Sequence, residues 1–199
     1  MSNCDCQIEI QHQSQKRVLI ILLIINAVMF FFELVTGIMS QSTALIADSL
    51  DMLADATVYG IGLYAVGKSA ASKIKAAHTS GVFQISLGVL VVFDVGRRYL
   101  FGSEPESLFM IVIGLVALIA NVICLKLISK HREGEVHMRA SWVFSKNDVL
   151  ANIGTVIAGG MVFALGSRLP DLLIGLLISL MVIRGGMSII KDAKAESYS

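Results

Sequence analysis

Residues 107–125 and 149–167 contain no charged side chain at all. Few features restrict a chain more. About 20 consecutive, mostly apolar residues suffice to carry a helix across the hydrocarbon core of a bilayer. In that solvent a backbone must satisfy its own hydrogen bonds, which leaves only helices and closed barrels. The apolar residues here run continuously and do not alternate at every second position, so the chain is read as helical. Of its 199 residues 55% are apolar and 16% charged, where a soluble domain carries about a quarter. So little charge cannot clothe a water-soluble surface.

Six spans are expected, over 18–39, 42–67, 79–100, 107–128, 140–165 and 169–190. The fold class is an all-α polytopic membrane protein, made of a 1–17 cytoplasmic tail, an 18–190 transmembrane domain and a short 191–199 tail. Only two prolines, Pro105 and Pro170, interrupt the chain. Pro170 falls in the first turn of the sixth span, where its missing N–H costs nothing. The third span is the weakest, because Asp94, Arg97 and Arg98 crowd its end. The first span is too long for a signal peptide and lacks an A-x-A-like cleavage site.

Lys and Arg set the orientation. Twelve of them, from Lys16 to Lys194, fall on one side of this arrangement; the other has Arg168, with Arg97 and Arg98 near its boundary. Both termini are therefore expected in the cytoplasm, with the protein integral to a plasma (bacterial inner) membrane. A net charge of +1 gives no reason to expect a nucleic-acid partner.

The remaining spans hold ionisable residues. An acid near the bilayer centre costs about 2.5–3.5 kcal/mol on insertion scales, so it needs a partner, a proton or an ion. The second span carries Asp48, Asp51 and Asp55. At 100° per residue these project at about 0°, 300° and 340°, on one face. Asp51 and Asp55 are i and i+4, which stacks their carboxylates. Such a pair cannot stay fully ionised without a cation; it shares protons or binds a metal. The fifth span offers Asp148, with Asn152 at i+4 and Ser145 at i−3, while Lys146 points away and can snorkel towards the cytoplasmic boundary. Asp51, Asp55, Asp148 and Asn152 are thus the candidate metal ligands, a four-oxygen set suited to a small divalent cation. Asn152 could equally join helices, and Asp48 stands one turn further out, where a structural role is as reasonable. Glu33 reads as structural.

The run from Ser42 to Asp55, Ser-Thr-Ala-Leu-Ile-Ala-Asp-Ser-Leu-Asp-Met-Leu-Ala-Asp, resembles the second helix of the cation diffusion facilitators, S-x-A-L-L-A-D-x-x-H/D-x-x-x-D. Glu33 and Gly37 fit that family's first-helix pattern, and Asp148-Val-Leu-Ala-Asn152 is similar to its fifth-helix H-x-x-x-D-x-x-x-N. The resemblance covers nearly the whole chain. It implies a metal-ion/proton antiporter, usually a homodimer, whose site takes two residues from each of helices two and five. By position these are Asp51, Asp55, Asp148 and a place usually held by His, which is Phe144 here. Phe cannot ligate a metal, so Asn152, Ser145 or water must fill in. Oxygen donors shift preference towards harder ions; Zn²⁺ also accepts carboxylates and is the first expectation, beside Mn²⁺, Fe²⁺ and Co²⁺. About ten residues follow Ile190, so a short member without the family's cytoplasmic domain is expected. Any dimer would then form through membrane helices, with helix three as the first choice.

Cys4, Cys6 and His12 could form a soft-metal clasp, or be incidental. Cys124 reads as packing. His131 and His137, with Glu133 and Glu135, read as a solvated loop, and His78 as water-facing. The expected function is efflux of a divalent metal ion in exchange for protons. The rival is a membrane metal-binding sensor or modulator subunit that does not transport. No nucleophile–base pair or cofactor motif suggests an enzyme.

Overall fold

A computed structural model describes the backbone of residues 2–65, 70–130 and 136–197. Six helices follow one another: α1 (Ser2–Met39), α2 (Thr43–Ala65), α3 (Ala70–Phe101), α4 (Ser107–Ser129), α5 (Val136–Leu165) and α6 (Leu169–Ser197). This is the expected all-α class. The helices overrun the expected spans mainly at the ends assigned to the cytoplasm. Hydropathy marks where the bilayer stops, whereas a helix continues until a breaker stops it, and these segments contain no proline. Cys4, Cys6, His12, His131, Glu133, Glu135 and His137 have side chains outside the described residues.

Among the described residues five helices are long and apolar enough to cross a membrane. The second of the six expected spans is the exception. Every 18-residue stretch of α2 contains Asp48, Asp51 and Asp55, and that acid load removes it from the apolar class. Its placement explains how it is tolerated: α2 touches each of the other five helices and so is shielded from lipid. Intramembrane charges characteristically face a bundle interior in this way.

The most extensive pairings are α3 with α6, α1 with α2 and α4 with α5. Glycine permits the first. A Cβ on Gly81 would lie 2.7 Å from the Gly186 carbonyl oxygen, and one on Gly186 would lie 2.7 Å from that of Gly81. The α3 and α6 backbones therefore touch.

The N-terminal end of α2 is held by a set of long-range bonds. Asp171, in the first turn of α6, is fully buried. Its carboxylate accepts from the Ser42 hydroxyl at 2.7 Å, the Thr43 N–H at 2.7 Å and the Ala44 N–H at 3.0 Å. Ser42 Oγ in turn accepts from the Leu45 N–H at 3.2 Å. The first turn of α2, whose N–H groups have no intrahelical partner, is thus capped both by its own Ser42 and by a distant helix. Gly175 makes the approach possible, since a Cβ there would stand 2.8 Å from Thr43 Cγ2. On the opposite flank the Arg98 guanidinium donates to the Gln41 carbonyl. Gln41 has φ 52°, the left-handed conformation that commonly ends a helix, and the Ser42 N–H bonds back to the Gly37 carbonyl at 3.0 Å.

Candidate metal centre

The acids occupy the middle of α2, between two apolar clusters. Towards the N-terminal end of α2 lie Ala44, Leu45, Met110, Ile113, Ala158 and Val162. Towards its C-terminal end lie Leu19, Leu22, Tyr59, Cys124 and Ile128. Side chains between such clusters sit in a water-poor layer, where electrostatic interactions are strong and unpaired charge is costly.

Within that layer Asp48, Asp51 and Asp55 of α2, Asp148, Ser145 and Asn152 of α5, and Glu33 of α1 are all buried. Helical periodicity puts the α2 acids on one face, and packing turns that face to α5. Asp55 and Asp148 come within hydrogen-bonding reach of each other, and Asp51 is close enough to both to interact through its charge. Among the described residues no group of three or more His, Cys, Asp and Glu closes tightly enough to hold an ion; the acids meet as neighbours across the α2–α5 contact.

Among the described residues no basic side chain forms an ion pair with them. Among the described residues the two ion pairs both involve Asp94, which meets Arg97 and Arg98 at 2.6 Å each. The charges that weaken the third span as a hydrophobic stretch are therefore partly compensated within the chain, one carboxylate serving two guanidiniums. Lys146 leaves the acids and lies 6.0 Å over the Trp142 ring.

Asn152 is fully buried. Its amide nitrogen donates to the Asp148 carbonyl at 2.8 Å and lies 3.5 Å from Asp48 Oδ1, while its own Oδ1 has no partner. The amide thus belongs as much to Asp48 as to Asp148. Phe144, in the place of the usual imidazole, is half-buried, with Cε1 3.6 Å from the position of a Cβ built on Gly185 of α6.

Sequence reasoning missed Tyr59. It is buried, and its hydroxyl donates to Asp55 Oδ2 at 3.1 Å. The signal was present, because 51, 55 and 59 form one i, i+4, i+8 row. Asn26 of α1 and Asn121 of α4 are also buried; each looks from sequence like a lone polar residue in an apolar run. Cys124 is packed in the cluster with Leu19, Leu22, Tyr59 and Ile128, as expected. An apolar groove lined by Val95, Tyr99, Met161, Leu165 and Leu173 lies between α3, α5 and α6 and includes none of the acids.

Residues 19–196 match the model of the cation efflux transmembrane domain. The chain belongs to the cation diffusion facilitator family. Among its relatives, zinc transporter ZitB of Yersinia pseudotuberculosis is 26% identical over 200 residues, covering 94% of this chain and 64% of the relative. The cadmium, cobalt and zinc/H⁺-K⁺ antiporter of Bacillus velezensis is 23% identical over 194 residues, covering 90% and 62%. The metal cation efflux system protein CzcD of Cupriavidus metallidurans is 27% identical over 181 residues, covering 84% and 57%. The chain thus spans somewhat under two thirds of the length of these relatives. It is an integral membrane protein, with six helices among the described residues.

Proposed function

We propose that this protein exports a divalent transition-metal ion from the cytoplasm across a bacterial inner membrane, in exchange for protons, and that Asp51, Asp55 and Asp148 hold the ion in transit. One observation carries this reading: carboxylates from α2 and α5 meet in a water-poor layer with no basic partner among the described residues. Dehydrated acids so placed are compensated by an ion or by protons, and alternation between the two is what exchange requires. Metal and proton compete for the same oxygens, so the ion loads when the carboxylates are deprotonated and leaves when protons arrive.

Asn152 or Ser145, with water, would complete the coordination that Phe144 cannot. Relatives named for zinc, cadmium and cobalt support Zn²⁺ as the first substrate to try, with Co²⁺, Mn²⁺ and Fe²⁺ as alternatives for an oxygen-rich set. A homodimer through membrane helices is part of the same proposal. So are cytoplasmic placement of both ends and a transport domain over 18–190.

The test is metal uptake into proteoliposomes under an imposed pH gradient, with a panel of these ions. Transport should follow the gradient, and Asp51→Ala should reduce it to the protein-free rate. Wild-type transport by Asp51→Ala would end the site assignment. A protein that saturates at a fixed stoichiometry and ignores the gradient would be the metal-binding sensor or modulator instead.

A further inference from the structure

Glu33 is completely buried, and neither of its carboxylate oxygens has a hydrogen-bond partner. It faces Asp48, close enough to interact with that carboxylate directly, and it also feels the charge of Asp51. Asp48 is buried too, and its Oδ2 is unpartnered. The third member is uncharged: Asn152 sits against Asp48 through its amide nitrogen, and its buried Oδ1 also lacks a partner. Four buried oxygens on α1, α2 and α5 thus lack donors at one level of the bundle. Asp48 lies three residues, about 4.5 Å of helix rise, outward of Asp51.

A proton shared between Glu33 and Asp48 would satisfy one carboxylate pair. It would leave the Asn152 oxygen and a second Glu33 oxygen orphaned, and buried polar groups rarely stay so. A divalent cation draws on several oxygens at once, and hard cations take carboxylate and amide oxygens together. The geometry points to a second cation station formed by Glu33, Asp48 and Asn152, immediately outward of the Asp51–Asp55–Asp148 site. Its place on an exit route rests on the transport reading above; its existence as a binding site does not. An ion moving out along α2 would pass from the Asp51 level to the Asp48 level, whose acids pair with no basic side chain among the described residues.

The experiment is equilibrium dialysis of ⁶⁵Zn²⁺ against the purified full chain in lipid nanodiscs, scored as ions lost relative to wild type. That difference cancels any ion held near the N-terminus. Glu33→Gln with Asp48→Asn should lose one ion per chain, Asp51→Asn with Asp55→Asn should lose a different one, and the four substitutions together should lose two. The ion retained by each pair variant is its folding control. Should the Glu33/Asp48 pair lose both, Glu33→Gln alone decides: at least a tenfold weakening of one ion with the other unchanged supports the station, and no change overturns it. Unaltered stoichiometry and affinity in the Glu33/Asp48 variant likewise overturns it. Full binding and transport by the Asp51/Asp55 variant would instead overturn the transport site, so the two failures are distinguishable.

Discussion

Replacing Asp171 with Ala removes an acceptor for three buried donors: the Ser42 hydroxyl and the Thr43 and Ala44 N–H groups. The hydroxyl can rotate to another acceptor, but the two N–H groups belong to the first turn of α2 and have no intrahelical alternative. A buried donor left unmade costs about 1–3 kcal/mol. Relief from burying the carboxylate returns part of this, so the expected net loss is about 2–4 kcal/mol for two such groups. Ser42→Ala, which loses an ordinary N-cap, should cost about 1 kcal/mol. Because the two side chains bond each other, the double variant should cost less than the sum of the singles. Asp171→Asn, with one acceptor oxygen, should fall between wild type and Asp171→Ala. Reversible unfolding in mixed micelles, followed by far-UV circular dichroism, gives these numbers. Stability of Asp171→Ala within about 0.5 kcal/mol of wild type, the scatter of ordinary surface changes, would refute the idea that α6 caps α2.

Three further predictions are smaller in scope. Tyr59→Phe removes the donor that orients Asp55; a hydrogen bond worth about 0.5–1.5 kcal/mol corresponds to a rise of about 2–10-fold in transport KM, and an unchanged KM would mean that Tyr59 does not position the site. Gly81→Ala would put a Cβ against the Gly186 carbonyl oxygen and Ile190, and should lower stability by about 1–3 kcal/mol; a thermal melt superimposable on that of wild type would contradict the close α3–α6 contact. Phe144→His restores an imidazole, a donor that suits zinc, and should favour Zn²⁺ over Mn²⁺ by about tenfold in the liposome assay, with unaltered selectivity showing that this position lies off the ion's path.

The sequence was most legible where one helix can be read alone. Apolar length located the helices, and the 100° period put Asp48, Asp51 and Asp55 on one face. The i, i+4 step from Asp148 to Asn152 identified the α5 face in the same way. What stayed hidden depends on two helices meeting. Asp171 looks like an acid in the first turn of its own helix, yet it caps a helix about 130 positions earlier in the chain. Arg98 looks like a boundary charge until the Gln41 carbonyl is seen beside it. Glu33 reads as structural from α1 alone, and only its lack of any hydrogen-bond donor marks it out.

Fixing α2 at its N-terminal tip makes it a lever. With Asp171 on one flank and Arg98 on the other, tilting of this helix has its fulcrum near residues 41–44. At 1.5 Å per residue the lever is about 35 Å long, so a 5° swing carries its far tip about 3 Å while Asp48 shifts by only about 0.7 Å. Mobility would therefore grow with distance from the pivot, least at Thr43 and greatest at Ala65.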